Sequence, residues 1–300
     1  MAATLPSREA PPVPTAESGA SSFGSCGNCG AELSGRFCSQ CGEKKLSPED
    51  YSIGHLVEEA VGDFTHFDTR FLRTLKLLFT KPGALSNAYF HGGRSRYTKP
   101  LALFIILNVI FFIVQPHTGL LRYKYAQYMN ERGHAAAVLA HLRETGESPR
   151  SYQARFDANL QNQKKSLLIV SVPVLALFMT IAFAGSGRTY AEHLIFSVQV
   201  YAFLLSYLVA LVAIVFYPAT FLLRSTGPAA DPIRAILESE LGITVLMITG
   251  LMIYMYFGFR RAYGVSRLRA ARSALILPWV VAYLTGVYHT ALFFVTFWTT

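Results

Sequence analysis

LIFSVQVYAFLLSYLVALVAIVFYPATFLL, residues 194–223, runs for 30 positions without Asp, Glu, Lys or Arg. As a helix it would reach about 45 Å, more than the ~30 Å of hydrocarbon in a bilayer. Four further runs, near 101–115, 166–184, 241–259 and 273–298, also lack charged residues. The first offers about 22 Å of apolar helix, so it must recruit its flanks or thin the bilayer to cross. The chain is 52% hydrophobic, and residues 1–100 hold 21 of its 45 charged side chains. This uneven distribution predicts an α-helical multi-pass membrane protein of about five transmembrane helices, with a polar N-terminal third.

Orientation follows from the cations. Residues 260–272 carry Arg260, Arg261, Arg267, Arg269 and Arg272 and no acid, which assigns that loop to the cytoplasm. Five spans then place the N-terminus in the cytoplasm and the C-terminus outside. Residues 116–165 become an extracytoplasmic helical loop, although its eight basic residues against four acids oppose that assignment. Long loops obey the charge rule less strictly. Trp279 and Trp298 lie about 28 Å apart along a helix and match two interfacial belts. The same pattern explains the net charge of +9 as topogenic, which argues against nucleic acid as a partner.

Working back toward the N-terminus, residues 46–100 form a basic amphipathic juxtamembrane segment. From Arg70 to Lys99 there are seven basic residues and no acid. Arg70, Arg73, Lys76, Arg94, Arg96 and Lys99 are candidates for the membrane surface. A helix packed on the protein's own bundle fits the pattern of residues 70–80 equally well.

All four cysteines lie at 26, 29, 38 and 41, spaced C-x2-C-x8-C-x2-C. Each Cys-x-x-Cys turn offers two thiolates to one ion, and the second turn completes a tetrahedron with no open position. Residues 23–45 therefore read as a structural zinc ribbon on Cys26, Cys29, Cys38 and Cys41. Iron in a rubredoxin-like site is the less favoured metal, and a disulfide is disfavoured by a cytosolic location. Residues 1–22, rich in Pro, Ala and Ser, read as a disordered tail without a secretory signal.

Within the apolar runs, Gln199 and His289 stand out, and Glu192 and His193 open the third run. They form a candidate intramembrane polar site for a solute or proton path. Hydrogen bonding between helices accounts for the same residues. No nucleotide, hydrolase or metalloprotease motif occurs, so an enzyme is not indicated.

Three blocks occur in order: the cysteine cluster, FDTRFLRTLKLLFTKPGALSNAYFHGGRSRYTKPLALF, and RTYAEHLIFSVQVYAF. Together they resemble a bacterial membrane family called domain of unknown function 3667. The resemblance rests on Thr74, Leu78, Pro82 and Gly83, on Gly92, Arg94, Arg96, Tyr97 and Pro100, and on the pair Glu192 and His193. It implies a metal ribbon at the four cysteines, joined to a basic segment and several membrane helices, in the inner membrane of a bacterium. Where family members carry histidines after the Glu-His pair, this chain has Gln199 and Tyr201. A closed metal site presents a surface without open chemistry. The expected function is thus a non-enzymatic membrane adaptor that recruits a cytosolic protein through the ribbon. The alternative is a transporter or channel using the polar intramembrane residues.

Overall fold

The computed structural model describes residues 24–45, 69–93, 96–118, 125–130, 132–219, 221 and 239–300. The expected tail, residues 46–68 of the juxtamembrane segment, and Arg94 lie outside these residues. Nine helices account for most of what is described. A hairpin of α1 (Thr69–Thr80) and α2 (Ala84–Phe90) leads into α3 (Pro100–Thr118). Two shorter helices follow, α4 (Tyr125–Tyr128) and α5 (Arg132–Thr145), and then the long α6 (Pro149–Ala182). Next come α7 (Tyr190–Leu211), α8 (Glu240–Gly258) and α9 (Arg267–Thr299). A π-helical turn extends α7 at Val212–Phe216, and another extends α8 at Phe259–Tyr263.

Helix starts follow local chemistry. Ser148 caps α6 with its side chain on the Ser151 N–H, and Pro149 takes the first helical position, where a missing N–H costs nothing. Thr189 and Glu192 form a reciprocal capping box at the start of α7. Ser239 and Ser266 cap α8 and α9 with side chains that accept from the Gly242 and Arg269 N–H.

Three helical stretches are long and apolar enough to cross a membrane: Tyr190–Ala219, Leu241–Tyr263 and Arg267–Thr299. Pro100–Gln115 and Leu168–Ala182 are shorter apolar helices. All five stretches meet around one apolar cavity of about 220 Å³, lined by Phe112, Leu168, Leu204, Met247, Ala282 and Tyr288. Near the other end of α7, Arg188 reaches the Ala262 carbonyl, and Arg269 of α9 reaches the Ala184 carbonyl just beyond α6. These two levels set the directions of four of them: α7 and α9 run one way, and α6 and α8 run back.

Residues 149–165, read from the sequence as part of a loop, are continuous with the second apolar run in the 34-residue α6. Polar side chains of this half are taken up by the last turns of α9. Thr296 donates to Gln163 Oε1 at 2.8 Å, Gln163 Nε2 donates to Thr299 Oγ1 at 2.6 Å, and Asn159 donates to the Thr299 carbonyl at 3.1 Å. The helix therefore extends past Lys164 and Lys165 because a partner helix satisfies its polar face.

Candidate metal centre

The cysteine segment folds as two knuckles offset by 12 residues. Gly30 N–H bonds the Cys26 carbonyl and Gly42 N–H the Cys38 carbonyl, each at 2.9 Å. Cys26 N–H bonds the Ala31 carbonyl at 2.7 Å and Cys38 N–H the Glu43 carbonyl at 2.8 Å. Each knuckle closes with one antiparallel bridge, Ser25 to Glu32 and Phe37 to Lys44. Gly30 (φ 78°) and Gly42 (φ 71°) hold the left-handed turn that brings the following residue back beside the first cysteine.

This repeat gathers four free thiols. Their sulfurs all lie within 4.8 Å of one another, with Cys26 to Cys41 at 3.6 Å and Cys29 to Cys38 at 3.5 Å. A tetrahedral ion with bonds near 2.3 Å sets its sulfurs about 3.8 Å apart, so the donor set fits a metal of that class. The Ala31 N–H pulls the Cys29 thiol pKa down, but hydrogen bonding with Cys38, Cys41 and Cys26, together with burial, outweighs it and pushes the value up to about 12. Four thiolates therefore need a cation among them. The segment's own core is small: Leu33 packs with Cys26 and Cys38.

The ribbon does not hang free. A Cβ on Gly27 would run into the His91 carbonyl, so the first knuckle lies directly on the end of α2. Arg96, expected at the membrane surface, donates to the Asn28 carbonyl at 2.7 Å. The hairpin beneath is anchored in turn. Phe71, Thr74 and Leu78 are the buried face of α1. Thr74 Oγ1 accepts from Thr98 N–H at 2.9 Å and donates to the Arg70 carbonyl at 2.7 Å. Arg70, Arg73 and Lys76 stay on the exposed side beside Leu72 and Phe79, and Lys99 is half-buried at the start of α3. Gly83, at φ 77°, takes the turn, and a Cβ there would fall 2.5 Å from the Gly258 carbonyl. The Pro82 carbonyl accepts from Arg261 at 2.7 Å.

The intramembrane candidates divide between the two ends of the bundle. Gln199 is buried, and its side-chain carbonyl accepts from Ser86 of α2 at 2.7 Å; its Nε2 has no partner among the described residues. His193 Nδ1 lies 2.8 Å from Tyr263 Oη. Glu192 holds Arg188 at 2.6 Å, besides closing the capping box. Arg188 also lies over the Phe90 ring at 4.7 Å, so it ties α2, α7 and α8 together. His289 is elsewhere. It stacks on Tyr128 with ring centres 4.3 Å apart, roughly 33 Å along α9 from that helix's first turn. The four candidates do not converge on one site.

Sequence reasoning missed Tyr263, Ser86 and Arg188. Arg188 left a signal, since it opens the block that carries Glu192 and His193. Tyr263 and Ser86 left none, being one aromatic and one hydroxyl among many.

Residues 68–112 match the model of a family described as a protein of unknown function, DUF3667. The match begins one residue before α1 and ends within α3, so it covers the hairpin and the first part of the first apolar helix. It names the family that the sequence blocks resemble. No curated protein and no solved structure matches the chain.

Proposed function

We propose that this protein is a membrane adaptor: a zinc ribbon fixed at the cytoplasmic face of a five-span helical bundle in a bacterial inner membrane, presenting a surface to a cytosolic protein. One observation carries the reading. The docked ribbon turns Phe37 outward, 61% exposed, next to the exposed Arg36. An exposed aromatic ring on a module with so small a core is placed to enter a partner's apolar pocket, and the adjacent cation favours an acidic rim. The five arginines between 260 and 272 lie at the same end of the bundle, which supports a cytoplasmic ribbon. The transport alternative needs a joint polar path, and the distribution of Glu192, His193, Gln199 and His289 offers it no support.

The test is crosslinking in living cells with wild-type protein, Phe37→Ala and the four-cysteine-to-serine variant. The expected result is a specific partner band in the wild type, lost in both variants, while Phe37→Ala keeps its metal. A band pattern identical in all three would end the adaptor reading. Separately, a reporter active only outside the cytoplasm, fused after Thr300, should be active; an inactive fusion would break the five-span topology.

A further inference from the structure

Where α8 gives way to α9, a concavity of about 450 Å³ is lined by Tyr256, Phe257, Arg260, Arg261 and Arg267. The local backbone builds it. The π-helical turn Phe259–Tyr263 carries Arg260 and Arg261, and Gly264, at φ 64°, reverses the chain so that Arg267 opens α9 facing them. All three arginines are exposed, and no ion pair to a carboxylate involves them among the described residues. Arg261 spends one N–H on the Pro82 carbonyl and has four others.

Below the arginines the surface turns apolar. Phe257 and Ile253, one helical turn apart, are 50% and 55% exposed, and Val245, two turns further on, is 53% exposed. Leu268, beside Arg267, is 70% exposed. A trio of guanidinium groups above the exposed Phe257 and Ile253 is complementary to a phospholipid, with the anionic phosphate at the arginines and acyl chains along the helix.

We infer that Arg260, Arg261 and Arg267 form a binding site for the phosphate of an anionic phospholipid whose acyl chains lie along Phe257 and Ile253. Guanidinium forks suit phosphate oxygens because they donate two parallel hydrogen bonds. The Arg261 bond to Pro82 also places the headgroup next to the hairpin that carries the ribbon. The site depends on membrane association and not on the adaptor reading, so the two fail separately.

Native mass spectrometry of the purified full-length protein tests it, with phosphatidylglycerol, phosphatidylcholine and glycerol phosphate as probes. The expected result is one phosphatidylglycerol bound at least tenfold more tightly than phosphatidylcholine. The double variant Arg260→Gln/Arg267→Gln should lose about tenfold, while Arg143→Gln/Arg150→Gln, the same charge change elsewhere, keeps wild-type binding. Equal binding of the two lipids by wild type would overturn the inference, as would undiminished binding by the Arg260/Arg267 variant or equal loss in both variants. Displacement of the lipid by an equal concentration of glycerol phosphate would also overturn it, because the site would then be reading a free phosphate anion.

Discussion

At the ribbon end of the bundle, polar side chains meet in pairs: Ser86 with Gln199, His193 with Tyr263, Arg188 with Glu192. Thr98 N–H adds a hydrogen bond to Thr74 Oγ1, and Gly83 meets the Gly258 backbone too closely for a larger residue. At the distal end, rings stack. His134 lies on Phe293 at 3.9 Å and His289 on Tyr128 at 4.3 Å, with Tyr128, Tyr152 and Phe156 fully buried around them. Directional bonds fix one geometry and tolerate little change. Ring packing is less directional and spreads its stabilisation over many contacts. At the ribbon end the directional bonds join several elements through the core, whereas at the distal end they run along the α6–α9 seam, through Gln163 with Thr296 and Thr299, beside a ring stack held by burial.

The sharpest way to separate the ends is to remove the metal ligands. Changing all four cysteines to serine should abolish metal content and unfold the ribbon, because ion binding in such modules supplies about 10 kcal/mol or more of folding energy. Limited proteolysis should then cut within residues 24–45 while the distal end stays protected. Cleavage at both ends would mean the two are coupled. Phe293→Ala comes next, at about 3–5 kcal/mol, since it empties a fully buried position in the ring stack. Hydrogen exchange should show the loss around residues 125–160, with the hairpin unaffected.

Gly83→Ala should cost about 2–3 kcal/mol, because it adds both positive-φ strain and a clash with the Gly258 backbone. It should loosen the ribbon without releasing its metal, visible as proteolysis near residues 81–93 at unchanged metal stoichiometry. Ser86→Ala, which leaves the Gln199 carbonyl buried and unpaired, should cost about 1–2 kcal/mol in thermal stability. The smallest effect lies at the distal end. Arg155, hydrogen-bonded to Glu147, holds that carboxyl below its ordinary pKa, with help from Ser151. Its contribution is thus present above the ordinary glutamate range near pH ~4.3 and fades as pH falls through the lowered value. A melting curve followed from pH 6 to 3 should show this loss, and Glu147→Gln should remove that part of the slope.

Much of this was legible in the residues. Apolar runs located the long helices, because a stretch without charge has few places to go but lipid or core. The cysteine spacing announced a four-thiol cluster, since two tight turns can bring their sulfurs together with little help from the rest of the chain. The continuation of α6 through residues 149–165 was not legible, because its polar stripe looks solvated until Thr296 and Thr299 of α9 are set beside it. The polar candidates in the apolar runs were visible as residues but not as pairs, for Ser86 and Gln199 are 113 positions apart.

By itself, then, the sequence determined the elements whose cause is local: the uncharged helices, their caps and the cysteine knuckles, each governed by residues within a few positions. Only the tertiary structure decided that Arg96 holds the ribbon, that Gly83 meets Gly258, and that His193 and His289 serve opposite ends of the bundle. Those facts depend on which helix lies against which, and on how close two backbones come, and no single stretch of the chain encodes either.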